Sequence, residues 1–195
     1  MSSSTLPLFF KVLGLILIIT SHGPHVADAR KAIAPSPRQR VSALVDVVCQ
    51  SYKIQEEDRG KCTKEMLSDP KISSEKDSGR LRILLVDLAI KKTREARISL
   101  EKMAKTNNKY PEALERCAGF LNDAVLQFDS ALDSLKNPNP EEDLMSISMN
   151  VTIAGDQLDY CETGLANDHI VDHTVKSIIH NVRMHQRMVS RAFSL

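Results

Sequence analysis

From Pro37 onward, apolar residues recur three and four positions apart, the period of a helix face rather than the alternation of a strand. Pro37 suits a first helical position, with Ser36 as its cap and Gln39 in the capping-box place. Val41, Leu44, Val45, Val48, Cys49 and Tyr52 then fall on one face. A short second segment holds Cys62 and Met66 and is predicted to end before Pro70, because proline lacks a donor and restricts its predecessor. Ser74 and Asp77 have capping-box spacing for a long third helix. Its buried stripe is Leu81, Leu84, Leu85, Leu88, Ala89, Ala96, Leu100 and Met103, and Asn107-Asn108 end it. Pro111 starts a fourth helix, with Leu114, Cys117, Leu121, Val125, Phe128, Leu132 and Leu135 inward.

Asn137-Pro138-Asn139-Pro140 breaks the pattern. A fifth helix is predicted from Pro140, capped by Asn139, with Glu142 in the capping-box place. Leu144, Ile147, Val151, Ala154, Leu158, Cys161 and Leu165 form its seam. After Asn167-Asp168 a sixth helix shows Val171, Val175, Ile178, Val182, His185 and Val189 at the same spacing. No alternating strand pattern of useful length occurs. The predicted fold is all-α: an antiparallel four-helix bundle with an N-terminal helical hairpin.

Composition agrees with this. Apolar residues make up 42% of the chain, but aromatics only 4%, and there is no Trp. Such a core must be built from Leu, Ile, Val, Ala and Met, which suits helices better than a sheet sandwich. A net charge of +1 lacks the excess positive charge of a general nucleic-acid binder.

Residues 1–29 read as a secretory signal peptide. Lys11 precedes the apolar run Val12 to Ile19, and Ala27-Asp28-Ala29 supplies a small-x-small cleavage site. The run stops at Thr20, short of the roughly 20 apolar residues a membrane span needs. The remaining domain, 30–195, keeps the charge of +1 because Lys11 and Asp28 cancel. With no retention tetrapeptide and no hydrophobic tail before Leu195, export is expected, with no membrane association after cleavage.

Four cysteines in an exported chain allow three disulfide pairings. Cys117 and Cys161 are equally distant in sequence from Asn139, the centre of the loop between helices four and five. Antiparallel helices climb equally from a shared loop, so both sulfurs reach the same height on facing helices. Cys49 and Cys62 are likewise symmetric about Gln55-Glu56. The expected bridges are Cys49–Cys62 and Cys117–Cys161. Free thiols fit an exported protein poorly, and a zinc site lacks a close Cys pair.

Several stretches carry a resemblance to a known family. They are Cys49 to Cys62 with Leu67-Ser-Asp-Pro70, Leu84-Leu-Val-Asp-Leu-Ala-Ile90, Ala113-Leu-Glu-Arg-Cys117 with Asn122-Asp-Ala124 and Leu132, and Ala154-Gly-Asp-Gln-Leu-Asp-Tyr-Cys-Glu162. In this order, over about residues 41–193, they resemble the plant invertase inhibitor and pectin methylesterase inhibitor family. The resemblance implies a secreted, non-enzymatic protein of the apoplast or cell wall, with the vacuole as an alternative site. It implies one-to-one blockade of a carbohydrate-modifying enzyme. Pectin methylesterase is favoured, cell-wall or vacuolar invertase is the alternative, and a non-inhibitory extracellular protein of the same fold is the third reading. Some invertase inhibitors of the family carry Pro-Lys-Phe between the two Cys-bearing helices, where this chain has Pro138-Asn139-Pro140. Esterase inhibitors often carry Ser-Ala-Ala before the fourth Cys, where this chain has Thr152-Ile153-Ala154.

No motif of a hydrolase, phosphate loop, dinucleotide site or zinc protease occurs, so no cofactor is expected. His169 and His173, four apart, are read as a polar helix start rather than as metal ligands. The carboxylates are read as solvated. Lys91, Lys92, Arg94 and Arg97 form a basic cluster, most simply a solvated face and alternatively a patch for an acidic surface. Asn150-Val151-Thr152 is a glycosylation sequon. The expected partner surface is the loop Asn137, Pro138, Asn139, Pro140, Glu141, Glu142 and Asp143, stiffened by two prolines and acidic at its end, together with polar positions of helices four and five.

Overall fold

Three helices begin on a proline: α1 (Pro37–Cys49), α3 (Pro70–Ser74) and α5 (Pro111–Lys136). At that position the fixed φ suits a helix, and the missing N–H would have had no intrahelical partner. The other elements are a 3-10 turn, Glu56–Asp58, leading into α2 (Arg59–Ser68), then α4 (Ser78–Thr106), α6 (Leu144–Asn167) and α7 (His173–Ala192). The computed structural model describes residues 37–106, 109–137 and 143–195, all of them in the unit Pro35–Leu195. Among the described residues there are seven α-helices and no strand. The leader expected at 1–29, the cap Ser36, and Pro138, Asn139, Pro140, Glu141 and Glu142 lie outside them.

The bundle is α4, α5, α6 and α7. Helix α4 packs on α5 and α7, and α6 packs on the same two. Helices α1 and α2 form the hairpin, which rests on α7, while α3 leads from it to α4. The core runs in two clusters. One joins Val45, Val48, Ile54, Met66 and Ile72 of the hairpin region to Leu85, Phe128, Val151 and Met188 of the bundle. The other holds Leu100, Leu114, Leu121, Leu158 and Ile179. Phe128 is the one fully buried aromatic among the described residues, so aliphatic side chains and methionines do the filling.

Four expectations need correction. Helix α3 was not foreseen, because Pro70 reads equally well as a stop. Here Asp69 caps it instead, accepting from the N–H groups of Lys71 at 2.8 Å and Ile72 at 3.4 Å. Ser74 therefore ends α3, and Asp77 alone caps α4 by accepting from the Arg80 N–H at 2.8 Å. Helix α6 starts at Leu144 rather than Pro140, because Asp143 is extended and accepts from the Ser146 N–H at 2.8 Å. Helix α7 starts at His173, capped by Asp172, which accepts from Thr174 and Val175.

Three residues assigned to the seam lie at or beyond helix ends and are exposed: Tyr52 (86%), Leu144 (46%) and Val171 (70%). After Cys49 the chain turns, and Ile54 takes the buried place expected of Tyr52. Past the end of α6, His169 adopts φ 53°, and Ile170 donates back to the Leu165 carbonyl at 2.9 Å. This left-handed cap tucks Ile170 into the core and leaves Val171 outside.

Candidate partner surface

The end of the α5–α6 pair next to their connection carries several exposed apolar side chains. Helix α5 closes on Asn137, whose N–H donates to the Asp133 carbonyl at 2.8 Å and whose amide donates to the Asp133 carboxylate at 2.9 Å. Helix α6 opens on Asp143, whose carboxylate also accepts from the Ser146 hydroxyl at 2.9 Å. The Ser146 backbone N–H holds the Asp143 carboxyl below its ordinary pKa, so this exposed group carries negative charge in mildly acidic solution. Immediately after it, Leu144, Met145 and Met149 stand exposed. On α5, Leu126 is exposed too, one turn from Ser130, whose hydroxyl accepts from the Asn150 amide at 3.3 Å. Of the expected loop residues, Asn137 and Asp143 are thus both exposed at its two ends. Asn150 of the sequon is half-buried against α5.

Two cross-links tie pairs of helices together. Cys117–Cys161 joins α5 to α6 with Cα atoms 4.6 Å apart, and Cys49–Cys62 joins α1 to α2 at 5.7 Å. All four cysteines are consumed, in the pairing expected from helix register.

The basic cluster on α4 is largely neutralised. Lys92 pairs with Glu65 at 2.6 Å, Arg94 with Asp129 at 2.7 Å, and Arg97 donates to Asn122 at 3.0 Å and lies 3.7 Å from Glu101. Only Lys91 of the four is exposed without such a contact in these pairs, so the patch offers an acidic surface little. His169 and His173 do not share a helix: the first lies in the loop and the second opens α7. Among the described residues no group of three His, Cys, Asp or Glu side chains could hold a metal ion.

Buried polar contacts between elements were not foreseen. Asp58, read as one of the solvated carboxylates, is buried and lies 2.8 Å from His180 Nε2, fastening the hairpin region to α7. Arg183 is buried on α7 and donates to the Gly155 carbonyl at 3.0 Å, Asp159 at 2.5 Å and Glu162 at 3.0 Å. His185 Nδ1–H donates to the Asn181 carbonyl at 2.7 Å, and its Nε2 is 3.7 Å from Glu65. Burial pushes the His185 pKa down, whereas the Lys92 ammonium, bonded to Glu65, pulls the Glu65 carboxyl down. Apart from the His185–Asn181 bond within α7, these partners are 21 to 122 residues apart in sequence, so no local pattern marks them.

Helical order, disulfide layout and bundle packing agree with one family, and its model, plant invertase/pectin methylesterase inhibitor, matches residues 43–195. The chain belongs to that family. The match covers the hairpin from residue 43 onward and the whole bundle, including all four cysteines. Membership supports an inhibitor-type function directed at a target enzyme, consistent with a non-enzyme. No curated protein matches the chain. Among the described residues no helix is long and apolar enough to cross a membrane.

Proposed function

We propose that this protein is a secreted inhibitor that blocks the active-site cleft of a plant cell-wall pectin methylesterase by one-to-one binding. The observation that carries the reading is the exposure of Leu144, Met145 and Met149 within the first two turns of α6, directly behind the anionic Asp143. Exposed apolar side chains grouped beside charge mark interaction sites more often than chance surface. The supporting helices are tied by Cys117–Cys161, so little ordering entropy is lost on binding. The contact surface is the connection Asn137 to Asp143 together with the first turns of α6. An acid invertase is the alternative target, and the absence of Lys and Phe from Pro138-Asn139-Pro140 favours the esterase.

In this reading residues 1–29 are a cleaved leader, 30–195 form the inhibitor domain of the apoplast, and Asn150 is a glycan acceptor reached before the helix packs. The test is titration of the oxidised 30–195 protein against a pectin methylesterase and an acid invertase at mildly acidic pH. The expected result is linear loss of esterase activity reaching zero at equimolar protein. Full activity of both enzymes in excess protein would end the proposal.

A further inference from the structure

We propose that Met145 and Met149 form a peroxide-oxidisable site whose conversion to sulfoxides turns the start of α6 polar and releases the bound target. The second half of this rests on the reading that this surface meets the target enzyme.

The seven methionines are not equivalent. Met66, Met184 and Met188 are sealed in the core at 0–1% exposure, and Met103 is half-buried. Met145 and Met149 are 79% and 59% exposed, and they stand four residues apart on one face of α6. A peroxide must reach the thioether lone pair, so access sorts these sulfurs. Thiols offer no competition, because all four cysteines are in disulfides. Among the described residues, the exposed methionines are therefore the reducing sulfur presented to an oxidant.

The oxidant is hydrogen peroxide or an organic hydroperoxide. The sulfur lone pair attacks one peroxide oxygen and the O–O bond breaks. That oxygen's proton passes to the departing oxygen, giving sulfoxide plus water or alcohol. Sulfur loses two electrons and the peroxide gains two. The product replaces a flexible apolar group with a strong hydrogen-bond acceptor. The helix itself survives the change, because Ile147 and Val151 anchor the opposite face of α6 in the core and Asp143 keeps its cap on Ser146. Oxidation thus alters the surface and leaves the fold.

The test treats the oxidised-disulfide 30–195 protein with graded hydrogen peroxide, maps methionine oxidation by peptide mass spectrometry, and titrates the products against pectin methylesterase. Met145 and Met149 are expected to gain one oxygen each while Met66, Met184 and Met188 remain thioethers and the far-ultraviolet dichroism is unchanged. Inhibition is expected to weaken about tenfold, or ~1.4 kcal/mol. The Met145→Leu/Met149→Leu variant is expected to keep its potency through the same treatment. Oxidation spread evenly over all methionines, or full potency with both sulfoxides in place, would overturn the proposal. A protein that inhibits nothing before treatment overturns the target-binding reading and the release step with it, and the mapping then decides the oxidation site by itself.

Discussion

Arg183 shows what a single charged residue does inside this bundle. Its guanidinium is buried on α7, yet every contact runs to α6: one backbone carbonyl, at Gly155, and two carboxylates. Beside this contact, Gly155 leaves room for the Gln186 side chain, whose amide nitrogen would stand 2.9 Å from a Cβ at that position. Hydrogen bonds to charged groups each contribute about 1.5–3 kcal/mol, but Asp159 and Glu162 are exposed and regain water when the arginine is lost. Arg183→Ala should therefore lower the unfolding free energy by about 2 kcal/mol, measured by urea titration. Arg183→Lys should recover only part of it, because an ammonium cannot reproduce the planar fork over three acceptors. Periodicity correctly put the neighbouring Val182 in the seam, but it carries no signal for Arg183, whose acceptors lie on another helix.

At the scale of elements, caps and cross-links set the boundaries. Asp172 accepts from two N–H groups at the start of α7, so Asp172→Ala should cost about 1 kcal/mol in the same titration. The disulfides differ in reach. Cys117–Cys161 spans 44 residues and Cys49–Cys62 spans 13, for which chain entropy gives roughly 4 and 3 kcal/mol. Replacing Cys117 and Cys161 together by Ala should reduce global stability by about 4 kcal/mol. Replacing Cys49 and Cys62 should chiefly raise hydrogen exchange in α1 and α2, which hydrogen-exchange mass spectrometry resolves. The disulfide partners were legible because helix rise ties height to sequence distance from a shared turn. The start of α6 was not, because Asn139 and Asp143 are both competent caps and local chemistry does not rank them. The second helix does end before Pro70, at Ser68, but nothing local showed that Pro70 also starts α3.

At the scale of the whole molecule, the contact of α2, α4 and α7 around Glu65, Lys92 and His185 makes stability depend on pH. His185 is buried among Glu65, Lys92 and Lys61, and burial lowers its pKa below the ordinary value. Between about pH 6.5 and 5 the unfolded chain takes up this proton and the folded chain resists it, so stability falls as pH falls. Glu65 acts in the same direction lower down. Its pKa is depressed by Lys92, so its contribution is complete above about pH 4.5 and is lost as pH drops through the lowered value. Thermal unfolding should show a decline from pH 7 to 5 that His185→Gln flattens, with a further decline below about pH 4.5 that remains. The cell-wall setting proposed for this protein lies on that slope. At the same scale, alanine substitution across Asn137 to Asp143 should weaken inhibition in the enzyme titration without lowering the melting temperature by more than the lost α6 cap explains.

The number of long helices, the faces they bury and the cysteine partners were settled by spacing along the chain, because an apolar stripe and an axial rise are local properties of a helix. The family followed from the same ordered features. Folding in three dimensions decided which of several competent caps is used, which seam residues at helix ends stay wet, and which charges go inside. Asp58 and Arg183 are buried because groups from distant parts of the chain arrive to satisfy them, and Met145 and Met149 stay exposed because no described helix covers that face. Burial of a charge or exposure of a thioether is a relation between elements, and spacing within one element does not encode it.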